Sequence, residues 1–208
     1  MKAAFYLFDL DGTLVDSSPV HERAYRQVLG EHHPGLLGGF DYGTISGLTT
    51  LDAFRKLGLD ESNSRAATAQ KQSLYRDAVS AGAVRALPGA AALLEKLKAR
   101  GAAIAIVTSA SRASATGTLE ATGLLAFVDA LVTADDVANG KPDPEPYRAA
   151  LARLKADPAQ TLAVEDALSG IASAHAAGVK VVGVHEAGIR AQADFYFDDL
   201  AALAGALA

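Results

Sequence analysis

Apolar residues in this chain gather in short unbroken runs, separated by longer stretches where they recur every three or four positions. Four runs are rich in Ile, Val or Leu: "AAFYLF" at 3–8, "AAIAIVT" at 102–108, "TLAVE" at 161–165 and "VKVVGV" at 179–184. Runs without polar alternation predict strands buried on both faces, the habit of parallel sheets. A weaker run, "FVDALVT" at 127–133, and "DFYFDD" at 194–199 predict a further strand and an edge strand. Helical spacing fills the gaps. In "PGAAALLEKLKARG", Pro88 lies near the start, Leu93, Leu94 and Leu97 share a face, and Gly101 stops the helix. In "DPEPYRAALARLKAD", Asp143 reads as the N-cap with Pro144 at the first helical position. "ALSGIASAHAAGV" ends at Gly178, a C′ glycine.

From about Ser18 to Leu87 the alternation breaks, and no convincing buried strand is legible. "PVHERAYRQVLGEHH", "TTLDAFRKLG" and "SNSRAATAQKQSLYRDAVS" read as helices. That much helix is too long for a simple crossover between strands. The expected architecture is α/β, a doubly wound parallel sheet with an inserted helical cap. Residues 1–16 and 86–208 form the core and 17–85 the cap.

Composition narrows the function. The chain has 208 residues and a net charge of −5, with no block of Lys and Arg to neutralise a polyanion, so nucleic acid is not an expected partner. Cysteine is absent, which excludes disulfides and thiol chemistry. No signal peptide and no membrane span is read, so a cytoplasmic monomer without membrane contact is expected.

Open α/β sheets bind ligands beyond the carboxyl ends of their strands. The first run ends in Asp9 and Asp11, the second in Thr108 and Ser109, the third in Glu165 and Asp166, and Lys141 follows the weak run in "NGKPDPEPY". Asp9 and Asp11 stand at i and i+2 on extended chain, so their side chains point the same way with Cα atoms roughly 6–7 Å apart. One can attack a reacting centre while the other reaches a neighbouring oxygen. Gly12 lets the chain turn immediately afterwards. Clustered carboxylates need a cation, and a hard oxygen site with room for water and phosphate suits Mg²⁺. Each residue also has an ordinary reading. Asp166 can N-cap the helix that follows, Thr108 or Ser109 can cap the helix at "SRASATGTLEAT", and Lys141 can be solvated surface.

Together, "DLDGT" at 9–13, Thr108 in "IAIVTSAS", Lys141 in "GKPDPEPY" and Glu165–Asp166 in "LAVEDALSGI" resemble, in order, the four motifs of the haloacid dehalogenase-like hydrolase superfamily. The resemblance spans nearly the whole chain and implies a Rossmann-like core. It implies Asp9 as a nucleophile forming an aspartyl-phosphate and Asp11 as acid and base. Thr108 and Lys141 would hold phosphoryl oxygens, with Lys141 also orienting Asp9. Mg²⁺ would sit on the Asp9 carboxylate, the Asp11 backbone carbonyl and Asp166, with Glu165 supporting it or touching it through water. Ser109 and His21 are the candidate substrate contacts. The stretch from Asp16 to Tyr25, ending in "PVHERAY", resembles the cap entry of sugar-phosphate phosphatases and β-phosphoglucomutases, a branch that often has a histidine at the place of His21. Asp11 favours phosphoryl transfer over carbon–halogen cleavage. The implied activity is a Mg²⁺-dependent phosphatase acting on a small phosphorylated metabolite, a sugar phosphate foremost. The alternatives are a β-phosphoglucomutase-like phosphomutase and a non-catalytic phosphate-binding protein. Arg23 and Lys71 are possible substrate contacts but read by default as solvated helix positions, Lys56 and Lys71 lack a context for Schiff-base chemistry, and His32–His33 read as turn residues. "GTISGLTT" at 43–50 is a candidate loop that meets substrate when the lid closes.

Overall fold

A computed structural model describes residues 3–207. Its main sheet has six strands: β1 (Phe5–Phe8), β4 (Ala103–Val107), β5 (Ala130–Val132), β6 (Thr161–Glu165), β7 (Lys180–Val184) and β8 (Phe195–Phe197). They are parallel, in the order β5-β4-β1-β6-β7-β8. β1 is central, with Phe8 opposite Ile106 on one side and Val164 on the other. All four strong apolar runs and both weak ones become strands.

Side-chain period two splits each buried strand between two cores. Tyr6, Phe8, Ile104, Ile106, Leu162, Val164, Val182 and Val184 enter one core, whereas Leu7, Ala105, Val107, Ala163 and Val181 enter the other. The first core is closed by α5 (Ala90–Ala99), α6 (Arg112–Ala121) and α9 (Leu200–Ala206), through Leu93, Leu94, Leu97, Leu119, Leu200 and Leu203. The second is closed by α7 (Glu145–Leu154) and α8 (Leu168–Ala176), through Tyr147, Ala150, Leu151, Ile171 and Ala174. Helices therefore cover both faces, and burying each leucine contributes about 1.5–3 kcal/mol. Gly178 does follow α8 in the left-handed region, at φ +81°.

The inserted segment, which we call the cap, comprises α1 (Ser18–His32), α2 (Pro34–Leu37), α3 (Thr50–Lys56) and α4 (Glu61–Ser80). It has a core of its own, built on Tyr25, Val28, Leu29, Phe40, Phe54 and Ala67. Cap and sheet are joined by a short antiparallel ribbon, β2 (Val15–Asp16) with β3 (Arg85–Ala86), in which Val15 faces Ala86. Two-residue strands are too short to show alternation, which is why the sequence reading passed over them. It also missed α9. One helix-boundary expectation needs correction: Asp143 is not the N-cap of α7. Pro144 holds that place and the helix begins at Glu145, because the Asp143 carboxylate accepts the Glu145 N–H (2.8 Å) one step before the helical pattern starts.

Candidate active site

Order reverses in the sheet at β1: the chain steps outward to β4 and β5 on one side, then returns to β6 on the other. Loops leaving β1 and β6 in opposite directions open a crevice at their carboxyl ends. Asp9, Asp11, Thr108, Ser109, Lys141, Glu165 and Asp166 all line one cavity there, and the cap contributes His21, Tyr25, Tyr42 and Lys71 to the same wall.

Lys141 is the hub of the buried end. Its Nζ donates to Asp9 Oδ1 (2.6 Å), Glu165 Oε1 (2.5 Å) and the Val107 carbonyl (2.9 Å). Its side chain is only 3% exposed, so the surface-lysine reading does not hold. Burial alone would lower its pKa, but Asp9 and Glu165 hold it above the ordinary lysine range. Tyr147, from α7, donates its hydroxyl to the same Glu165 oxygen (2.6 Å). Glu165 lies over Gly170, where any Cβ would collide with the carboxylate. This glycine, in the first turn of α8, is what lets the Glu165 side chain fold back onto the helix that follows it.

Asp166 does not cap α8. The N-cap there is Ala167, without a side-chain bond, and Asp166 Oδ1 instead accepts from Thr13 Oγ1 (2.8 Å). Gly12 makes room for it. At φ +86° the chain turns under the carboxylate, and a Cβ on Gly12 would overlap Asp166 Oδ2. Thr108 is likewise spared from capping α6, because Ser111 takes that role. Thr108 Oγ1 accepts the Ala110 N–H (3.1 Å) and donates to Asp11 Oδ2 (3.3 Å). The Ser109 hydroxyl reaches across to the cap and donates to the Gly47 carbonyl (2.8 Å). Within "GTISGLTT", Ile45, Ser46, Gly47, Leu48 and Thr50 line the cavity.

Asp11 is held from the cap side. Ser17 stands at the N-cap of α1, a serine before Ser-Pro and so of the usual cap composition, yet makes no capping bond. Its hydroxyl donates to Asp11 Oδ1 at 2.6 Å. His21 Nε2 lies 3.0 Å from the same oxygen, and Lys71 Nζ lies 2.6 Å from His21 Nδ1. The bonds run one way in the neutral ring: the ammonium donates to Nδ1, and Nε2–H donates to the carboxylate. Tyr75 stacks on the imidazole, with centroids 4.0 Å apart and planes 4° off parallel. The solvated-face reading of Lys71 is therefore wrong, since the residue is 3% exposed. The available signal was spacing: His21 and Tyr25 on α1, and Lys71 and Tyr75 on α4, each stand at i, i+4 and so share one face. Tyr147 and Ser17 carried no comparable signal.

Electrostatics divide the carboxylates. Burial pushes Asp9 well above the usual range; Lys141 opposes this, while Glu165, Asp166 and Asp11 add to it. Burial, then Glu165, pushes Asp166 up to about 7 against the Thr13 hydroxyl. Burial would also raise Asp11, but His21, Ser17 and Lys71 outweigh it and hold that group low. Burial and Lys71 lower His21. Burial brings Lys71 itself down to about 8, against the pull of Asp11. One lysine cannot neutralise the deep cluster. Asp9, Glu165 and Asp166 bring one carboxylate oxygen each within 4.8 Å of one another, an all-oxygen donor set with surplus negative charge. That set fits a hard divalent cation. Glu165 accepts from both Lys141 and Tyr147, whereas Asp9 and Asp166 accept one side-chain bond each, from Lys141 and Thr13, and are the less committed carboxylate donors.

A doubly wound sheet with an acidic, lysine-bridged pocket under a helical lid defines a class of phosphoryl-handling hydrolases. The chain belongs to the haloacid dehalogenase-like hydrolases: that family's model matches residues 6–184. It is 34% identical to validoxylamine A 7'-phosphate phosphatase of Streptomyces hygroscopicus subsp. limoneus, over 93% of this chain and 92% of that one. It is 36% identical to hexitol phosphatase A of Escherichia coli (strain K12), over 89% and 84%. The crystal structure of CbbY from Rhodobacter sphaeroides in complex with phosphate superposes with a TM-score of 0.78 at 25% identity, covering 97% of this chain and 96% of that one. The protein is a phosphoric monoester hydrolase of this family. Among the described residues no helix is long and apolar enough to cross a membrane.

Proposed function

We propose that the protein is a Mg²⁺-dependent phosphatase that hydrolyses a small phosphate monoester, foremost a sugar or polyol phosphate, through an aspartyl-phosphate on Asp9. The observation that carries this reading is the pairing of Asp9 with Lys141 at 2.6 Å, beside an Asp11 held by a separate set of donors. Lys141 fixes Oδ1 of Asp9 and leaves Oδ2 to attack phosphorus. The bond from phosphorus to the leaving oxygen breaks as Asp11 gives that oxygen a proton. Water then attacks the phosphoryl group, Asp11 takes its proton, and the Asp9–phosphorus bond breaks to release phosphate. The low affinity of Asp11 for protons keeps it ionised, and so available as the acceptor in its second task. The arriving phosphoryl dianion raises that affinity for the first. His21 acts through Asp11, as a positioning residue, with Lys71 orienting its ring.

Thr108 and Lys141, both on the cavity wall, donate to the phosphoryl oxygens. Mg²⁺ would be held by the Asp9 and Asp166 carboxylates and the Asp11 carbonyl, where it supplies charge neutralisation for phosphoryl transfer. The relatives named for validoxylamine phosphate and for hexitols support a small phosphorylated substrate.

Release of inorganic phosphate from p-nitrophenyl phosphate tests the reading. Activity is expected with Mg²⁺, and is lost in excess EDTA and in Asp9→Asn. Absence of turnover on any monoester, with metal bound and the fold intact, counts against it. Isomerised sugar phosphate with little free phosphate would point instead to a mutase.

A further inference from the structure

The cavity's charge balance bears on what the phosphoryl group is attached to. Among the described residues, four carboxylates, those of Asp9, Asp11, Glu165 and Asp166, line it against two lysines and no arginine. Neither lysine is free. Lys141 is bonded to Asp9 and Glu165. Lys71 is bonded to His21 and lies over the Tyr25 ring, 4.7 Å from its centroid. Drawing Lys71 away would release the ring that steadies Asp11. A divalent cation and Lys141 only offset the carboxylates of Asp9, Glu165 and Asp166; the phosphoryl dianion already exceeds that balance and leaves nothing for a second anion, and burying an unpaired charge is strongly unfavourable.

The remaining wall has a different chemistry. Tyr42, Ser46, Thr50 and Ser169 offer hydroxyls, beside the apolar Ile45 and Leu48. Ser169 Oγ is buried and has no hydrogen-bond partner among the described residues. Hydroxyls can both donate to and accept from an alcohol, but they bring no positive charge to offset a carboxylate or a second phosphate.

We infer that the pocket selects monoesters whose leaving group is an uncharged, small polyhydric alcohol, and discriminates against esters that carry a second anionic group. This rests on the phosphatase reading and names its substrate class.

The experiment compares matched pairs that differ only by a hydroxymethyl group in place of a carboxylate: hydroxyethyl phosphate against phosphoglycolate, and glycerol phosphate against phosphoglycerate. Phosphate release with Mg²⁺ is expected to favour the neutral member by roughly tenfold to a hundredfold in kcat/KM, the scale of one unpaired charge near a like charge. Binding of the same pairs to Asp9→Asn, read as thermal shift, is expected to rank them in the same order. Ser46→Arg, at an exposed place on the cavity rim, is expected to narrow the preference by about tenfold. Turnover in which the anionic members match or exceed the neutral ones overturns this inference alone, as does a reversed order of binding or an unchanged preference in Ser46→Arg. Silence from every ester, p-nitrophenyl phosphate included, overturns the phosphatase reading and this inference with it.

Discussion

Replacing Lys141 by methionine isolates the ion-pair hub, because methionine keeps most of the side chain's volume and removes its charge and its donors. Three hydrogen bonds, to Asp9, Glu165 and Val107, disappear from a site that is 3% exposed. Carboxylate oxygens of Asp9 and Glu165, among those within 4.8 Å of each other, are left facing each other without the ammonium between them. At an effective dielectric constant near 20, their repulsion is about 3 kcal/mol. That falls at the lower end of the roughly 3–5 kcal/mol measured when a buried pair loses one partner. For a chain of this size, such a loss lowers Tm by about 6–20 °C.

The pH dependence carries the sign. In the parent, Lys141 has a raised pKa, so its contribution is fully present below the ordinary lysine value of 10.5 and does not change between mildly acidic and mildly basic solution. In the variant Asp9, already raised by burial and no longer held down by Lys141, titrates higher still. Between about pH 4 and that raised value the folded state binds more protons than the unfolded one, so stability falls as pH rises. The deficit of Lys141→Met is therefore larger at about pH 8 than at about pH 5. Adding Glu165→Gln removes one of the facing charges and returns about 1–3 kcal/mol. Thermal and urea unfolding in EDTA measure all three quantities. A loss below about 1 kcal/mol at the higher pH, or an equal loss at both, refutes the reasoning.

Other outcomes follow from the same geometry. Gly170→Ala drives a Cβ into the Glu165 carboxylate. It should destabilise by about 1–3 kcal/mol in chemical denaturation, and a neutral result would mean that Glu165 readily moves aside. His21→Gln keeps a donor for Asp11, whereas His21→Ala does not. The alanine variant should lose about a hundredfold in kcat with a shifted pH profile, the glutamine variant markedly less, and equal losses would deny His21 its positioning role. Asp166, pushed up to about 7, has to shed its proton before it can hold a cation. The folded group's raised pKa lowers the stability of the metal-free protein as pH rises from about 4 to about 7. Millimolar Mg²⁺ should therefore raise Tm more at about pH 8 than at about pH 5.5, and an equal gain at both would contradict the assignment of Asp166 as a donor.

Much of the scaffold was legible because it depends on local pattern. Strands buried on both faces need unbroken apolar runs, and the runs at 3–8, 102–108, 161–165 and 179–184 became β1, β4, β6 and β7. Helical spacing likewise marked α1, α3 and α4 of the cap and α5 to α8 of the core. Asp9, Asp11, Thr108, Lys141, Glu165 and Asp166 were identifiable as strand-end chemistry, since a parallel sheet delivers the ends of its strands to one edge.

What the pattern did not carry was the assignment of each polar group to its partner. Ser17 has the composition of a helix cap, but its hydroxyl is bonded to Asp11. Lys71 lies fifty residues from His21 in sequence, and only the packing of α4 on α1 sets the two 2.6 Å apart. Tyr147 looks like an ordinary core aromatic until α7 packs against the sheet and points its hydroxyl at Glu165. The ribbon that joins cap to core is too short to leave a periodic trace. Periodicity records which side of an element faces away from water, a local property. The direction of a buried hydrogen bond depends on what the rest of the chain brings to within 3 Å, and that is settled only when distant elements pack.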